Sequence, residues 1–176
     1  MHRLQSPSLP FVLSFAAGIS LVAAAVFLAQ FLRLAACPLC ILQRMLYLGL
    51  SGAAVIGLLT IRQRLLNLVA AFLMLAFSAA GAFVAGYQTY LQRFAQDTQC
   101  SGAMAWWEVF VDWAGEKIPV LFRASGLCSE PGWKFIGLSI AEMSLLAFFF
   151  LTLLSLYTLL RRNRTVSVQP FHIAER

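Results

Sequence analysis

Charge is what this sequence has least of. Asp, Glu, Lys and Arg make up 11% of its 176 residues, 61% are apolar and the mean hydropathy is +0.81, whereas a soluble domain carries about 25% charged residues. That shortage excludes an ordinary water-soluble domain. Lysine is scarcer still, present only as Lys117 and Lys134, so the formal net charge of +6 comes from arginines scattered among apolar runs. A nucleic-acid footprint needs a clustered basic face, and no nucleic-acid partner is expected. The chain is also short. One hydrocarbon crossing takes roughly 20 apolar residues at about 1.5 Å rise each, which leaves space for four crossings and one modest loop but for no separate soluble domain.

What the sequence does have is long apolar runs, at about Leu9 to Phe31, Ile41 to Ile61, Leu65 to Leu91 and Gly137 to Leu160. In lipid the backbone must satisfy its own polar groups, and none of the runs alternates as a barrel strand would, so each is read as a helix. The expected fold is an all-α membrane protein, a four-transmembrane-helix bundle forming one integral-membrane domain over residues 1–176. Only Arg62, Gln63 and Arg64 join the second and third spans. Loops are expected at about 32–40 and 92–136, the second holding Asp97, Glu108, Asp112, Glu116 and Glu130. There is no internal repeat.

Short Arg-rich segments stay in the cytoplasm. Arg3, Arg62, Arg64, Arg161, Arg162, Arg164 and Arg176 lie on the two ends and the second hairpin, so both termini are expected to be cytoplasmic. Cys37, Cys40, Cys100 and Cys128 then fall on the outer side, in two pairs on two loops. His2 and His172 fall inside, so a zinc site would need all four thiolates; no metal is expected. Leu34-Ala35-Ala36-Cys37 has the look of a lipoprotein cleavage site. Its apolar run is much longer than a signal peptide's 7 to 15 residues, Arg33 interrupts it and further spans follow, all of which argue against processing.

Cys37-Pro38-Leu39-Cys40 stands directly before the second helix, with Pro38 suited to a first helical turn, where its missing N–H costs nothing. A helix N-terminus favours thiolate over thiol, so the pair is suited to exchange; a structural clip is the competing reading. Arg44 follows Cys40 by four residues and shares its helix face, about 6 Å along the axis. Either it snorkels outward from the first turns, or it supports a Cys40 thiolate and orients an acceptor between helices. Gln43 is read as a solvated amide, with a hydrogen bond to the site as the alternative. Cys100 and Cys128 are spaced for a disulfide, taken alone a structural one; beside a reactive dithiol such a pair can relay electrons by exchange.

Between those cysteines, Met104 to Trp113 is aromatic, apolar and interrupted by acids, and is expected on the membrane surface together with a short turn from Ile118 to Phe122; a peptide-binding groove is the alternative. Gly49, Ala53 and Gly57, and Ser78, Ala82 and Gly86, are small-residue stripes for close helix packing. Glu142 suits the start of the fourth helix.

Taken together, the four spans, the CPLC motif followed by Ile41-Leu42-Gln43-Arg44, and Ala124-Ser125-Gly126-Leu127-Cys128-Ser129-Glu130 with Trp133 and Gly137-Leu138 downstream resemble the DsbB family of bacterial inner-membrane thiol oxidases. The resemblance covers nearly the whole chain. It implies a protein that reoxidises a periplasmic thioredoxin-like oxidase of the DsbA type and passes electrons to quinone, ubiquinone or menaquinone. It also implies roles: Cys100 forms the mixed disulfide with the client, Cys128 is released and attacks Cys37, and Cys40 and Arg44 face the quinone. Some relatives carry a histidine near the outer end of the third helix that this chain lacks; Gln88 or Tyr87 could occupy that space. The rivals are a non-enzymatic four-span scaffold and a family oxidase dedicated to a different periplasmic client.

Overall fold

A computed structural model describes residues 7–94, 106–129 and 133–167, with side chains as far as 163. The described chain is almost entirely helical. Four long apolar helices are α1 (Leu9–Phe31), α2 (Pro38–Leu59), α3 (Arg64–Phe94) and α6 (Ile140–Ser167), and all four are long and apolar enough to cross a membrane. Between α3 and α6 lie two short helices, α4 (Trp106–Lys117) and α5 (Pro119–Phe122), and a minimal hairpin of β1 (Lys134–Phe135) with β2 (Leu138–Ser139).

Local chemistry sets the ends. Pro38 opens α2, and Cys37 is its extended N-cap, the sulfur accepting the Cys40 backbone N–H at 3.3 Å. The helix thus starts before Ile41, and Cys40 sits inside it rather than ahead of it. Helix α6 starts at Ile140 instead of Gly137, because Ile136 and Gly137 have φ of 51° and 80° and form the two-residue turn of the hairpin, a geometry that suits a tight antiparallel return. Its N-terminus is a reciprocal cap: the Ser139 N–H donates to Glu142 Oε2 and the Glu142 N–H to Ser139 Oγ, satisfying two otherwise unpaired donors. Arg93 of α3 pairs with the same carboxylate and ties the ends of the two helices together.

The long helices pack in the order α1, α2, α3, α6, with only a light seam between α1 and α6. On α3 the buried residues are Asn67, Ala71, Met74, Ser78, Gly81, Ala85, Gln88 and Gln92, with Ala70 beside them. Their alternating steps of four and three form the seam expected of helices crossing at a shallow angle. Small residues admit aromatic rings there. A Cβ on Gly81 would meet the Phe148 ring, and one on Gly57 the Phe11 ring, in each case at under 2.5 Å. Gly57 belongs to the stripe expected on α2; on α3 the residue that receives the ring is Gly81, a neighbour of the expected stripe. At the far end Asn67 donates to the Gly57 carbonyl at 2.6 Å, pinning the α2–α3 turn. Phe72, Phe83, Phe150 and Leu59 face outward, as an apolar solvent permits.

Candidate functional site

Three of the four cysteines meet at one end of the bundle. Cys37 and Cys40 belong to the first turn of α2, their sulfurs 2.9 Å apart, and all three described cysteines are free thiols. Cys128 arrives from the distant loop through a backbone clamp: the N–H groups of Ser125 and Gly126 both donate to the Ala36 carbonyl, at 2.8 and 3.0 Å. Cys37 and Cys128 are then both buried, in a small cluster with Leu39 against which Cys40, Val84, Leu91 and Trp107 pack. Cys100 lies outside the described residues.

The sulfur cluster is electrostatically uneven. Cys128 has its thiol pushed below the ordinary range, first by a hydrogen bond from Cys37 and then, against burial, by the Leu39 backbone. Cys37 moves the other way, held protonated by its hydrogen bonds to Cys128 and Cys40 and by burial. The asymmetry belongs to the reduced cluster, in which Cys37 is a free thiol and carries the shared proton.

Gly126 makes the clamp possible. A Cβ there would stand 2.4 Å from the Ala35 carbonyl oxygen, a backbone atom with little freedom to yield. Gly126→Ala is therefore expected to push Cys128 away from Cys37. A displacement of about 1 Å can cost roughly 100-fold in a positioned reaction, so oxidant-driven cross-linking of Cys37 to Cys128 in a Cys40→Ser background should slow by about 10- to 100-fold. Gly52→Ala, where a Cβ meets nothing within 4 Å, is the control that should leave the rate alone.

Behind the sulfurs lies a ring of buried polar groups. Gln43 is 5% and Gln88 2% exposed. Gln43 Nε2 donates to Gln88 Oε1 at 2.7 Å, and Gln88 Nε2 donates to Cys37 Sγ at 3.2 Å and Cys40 Sγ at 3.1 Å. The expectation of a solvated Gln43 amide is thus corrected: α3 covers that face of α2 and supplies the partner. Of the two α3 candidates, Gln88 reaches the sulfurs while Tyr87 is about half exposed. Arg44 is buried too and does not snorkel. Its Nη1 donates to the Leu121 carbonyl at 3.0 Å and its Nη2 to the Ala25 carbonyl at 3.3 Å, while its buried Nε has no partner. The α5 turn, which the sequence placed at Ile118 to Phe122, delivers the Leu121 carbonyl.

Cys40, Arg44, Gln88 and Tyr47 line a cavity of about 400 Å³ whose remaining wall is largely apolar: Ala24, Ala25 and Leu28 of α1, Met143 of α6, and Trp133 and Phe135 at the hairpin. Tyr47 closes one side, its hydroxyl 3.0 Å from Ser144 Oγ and its ring stacked on Phe148. The volume falls within the range of small-molecule sites, and a mostly apolar wall with a few convergent donors is the usual make-up of one. Helix α4 presents Trp106, Phe110 and Trp113 to the exterior and buries Val111 and Ala114, with Trp107 against the sulfurs.

A family model described as disulfide bond formation protein DsbB matches residues 7–158. The chain is 35% identical over 151 residues to disulfide bond formation protein B of Dechloromonas aromatica, covering 83% of this chain and 88% of the relative. It is 32% identical over 171 residues to the protein of the same name from Stutzerimonas stutzeri, covering 92% and 99%. A third, from Albidiferax ferrireducens, is 35% identical over 169 residues, covering 92% and 93%. The chain belongs to the DsbB family. It is a multi-pass membrane protein with an oxidoreductase role in disulfide bond formation.

Proposed function

We propose that this DsbB-family chain reoxidises a periplasmic thioredoxin-like dithiol protein of the DsbA type, relaying electrons through Cys100/Cys128 and Cys37/Cys40 to membrane quinone, ubiquinone or menaquinone. The reading places it in the bacterial inner membrane as a single integral domain, both termini in the cytoplasm and the sulfur cluster at the periplasmic face. One observation carries it: Cys128 is held against Cys37 while Cys40 lines an apolar cavity beside a buried arginine.

A client thiolate attacks Cys100, the Cys100–Cys128 bond breaks, and Cys128 leaves with the electron pair. Cys128 then attacks Cys37, forming a Cys37–Cys128 bond and expelling Cys40 as thiolate. The second client thiolate displaces Cys100 from the mixed disulfide, and Cys100 retakes Cys128 and releases Cys37. The client has lost two electrons and two protons, and the Cys37/Cys40 pair has gained them. Each step is thiolate on disulfide, which needs only proximity and an open line of approach.

A quinone, when bound, supplies a lipid-soluble acceptor of two electrons and two protons. The residues fit such a group. Arg44 brings a positive charge and an Nε donor without a protein acceptor, Cys40 brings the sulfur, and the alanine-lined wall of α1 is apolar and open enough for a flat ring. The protein's part is to hold the donor and the dithiol together and keep water out.

The relay is tested by trapping. In the full chain carrying Cys128→Ser, the lone Cys100 thiolate should attack the disulfide of the oxidised DsbA-type client, one client sulfur leaving as thiolate, and the mixed disulfide should accumulate because no Cys128 is present to resolve it, visible as a reducible adduct whose mass identifies the client. Catalytic client oxidation should fall to background. Absence of any adduct, or turnover at the wild-type rate, would overturn the assignment, and a purified wild-type protein inert towards both client and quinone would be the non-enzymatic scaffold.

A further inference from the structure

We infer that Gln88 is a positioning residue that holds the electron pair on the α2 sulfurs after the Cys37–Cys40 bond has opened, and that Gln43 fixes the direction in which its amide points. This rests on the relay reading above. Gln88 is almost wholly buried, and its NH2 group carries two hydrogens for two acceptors, Cys37 Sγ and Cys40 Sγ. A side-chain amide has a second orientation, with its oxygen towards the sulfurs, where it would repel a thiolate. Gln43 Nε2 donates to the Gln88 oxygen at 2.7 Å, so turning the amide would break that bond and bring two N–H groups face to face. Gln43 stands three residues after Cys40 on the same helix, so the amide is aligned by the element that carries the sulfurs.

The contact is unequal between redox states. Disulfide sulfurs are weak acceptors, whereas a hydrogen bond to an ionised partner is roughly twice as strong as a neutral one. When Cys128 thiolate attacks Cys37, the Cys37–Cys40 bond breaks and its electron pair stays on Cys40 Sγ, 3.1 Å from Gln88 Nε2. Gln88 therefore favours the reduced pair over the disulfide and makes Cys37/Cys40 the better electron acceptor. Neither residue exchanges atoms or electrons, and no further oxidant enters.

The test is a redox titration and not an activity assay. The detergent-purified full chain is equilibrated without oxygen in dithiothreitol buffers of graded ratio, and the Cys37/Cys40 state is read by mass after alkylation. For Gln88→Leu, the equilibrium constant for reducing the pair should fall about 10- to 100-fold, a potential lower by about 30 to 60 mV at about 30 mV per tenfold. Gln88→Glu, the same shape without donors, should shift in the same direction, and Gln88→His, which keeps an N–H, should recover most of the wild-type value. Gln43→Leu should give a smaller shift of that sign, and the double variant should go no further than Gln88→Leu alone. A pair that titrates normally in Gln88→Leu, or in Gln88→Glu where the leucine variant fails to fold, overturns the inference. A wild-type pair that never equilibrates with the buffer overturns the relay reading instead.

Discussion

Cys40→Ser, with Cys37 retained, is expected to allow one oxidation event per chain and then stop. The Cys100/Cys128 pair of the proposed relay can still accept a client's electrons once. Cys128, however, then faces a Cys37 that is no longer in a disulfide, and its attack has no bond to break. Residues acting in series as one chemical unit lose nearly everything when any one is removed, so steady turnover should fall by at least about 1000-fold. The check is a time course with reduced client and quinone in excess: a burst of one equivalent of client disulfide, followed by quinone absorbance that does not change. Sustained quinone reduction at the normal rate would show that Cys40 is not in the electron path.

The burst also separates Cys40 from a merely structural cysteine. Its thiol touches Cys37 and the Gln88 amide and is surrounded by a wall that serine fills almost as well, so a structural role would alter stability slightly and turnover little. Position on the helix adds to the case. The first turn of α2 directs the Cys40 N–H at the Cys37 sulfur. Such a donor favours negative sulfur.

The four long helices were legible from the apolar runs alone, because a backbone in lipid has few alternatives to a helix. The meeting of Cys128 with Cys37 was not legible, because 90 residues separate them and the clamp that joins them is main chain: Ser125 and Gly126 on the Ala36 carbonyl. No side-chain pattern announces such a contact. Gln88 left a signal that could have been used. It falls in step with Ser78, Gly81 and Ala85 on the α3 seam, and a large polar amide in register with small buried residues has to find a partner inside the bundle. Gln43 misled because, without knowing that α3 covers it, an amide in the first turns of a span reads as facing water. For Arg44, sequence left snorkelling and burial equally open; the α5 turn and the α1 backbone decided it by offering carbonyls on two sides.

Arg44→Ala is expected to produce the second-largest loss, and its character is diagnostic. A charge costs roughly 2.5 to 3.5 kcal/mol at the centre of a helix in lipid and less towards its end, where Arg44 stands in the second turn of α2, and a buried donor left unpaired costs about 1 to 3 kcal/mol more. Arg44 offsets part of this through the Leu121 and Ala25 carbonyls, yet its buried Nε stays without an acceptor. Arg44 also lines the adjoining cavity, which places its charge beside whatever ligand the cavity takes. Removing it should raise the apparent KM for quinone by about 10- to 100-fold, the loss of one or two charge-assisted hydrogen bonds. Arg44→Lys should fall between, since an ammonium keeps the charge but cannot span both carbonyls and a third acceptor as a planar fork does. The thermal midpoint should drop in the alanine variant as well, because α1, α2 and α5 lose a shared brace. A lower midpoint with unchanged KM and kcat would make Arg44 a brace and nothing more. A raised KM that lysine partly restores would show that the guanidinium meets the acceptor, because stability alone gives no reason for the KM of a lipid-soluble substrate to follow the charge at position 44.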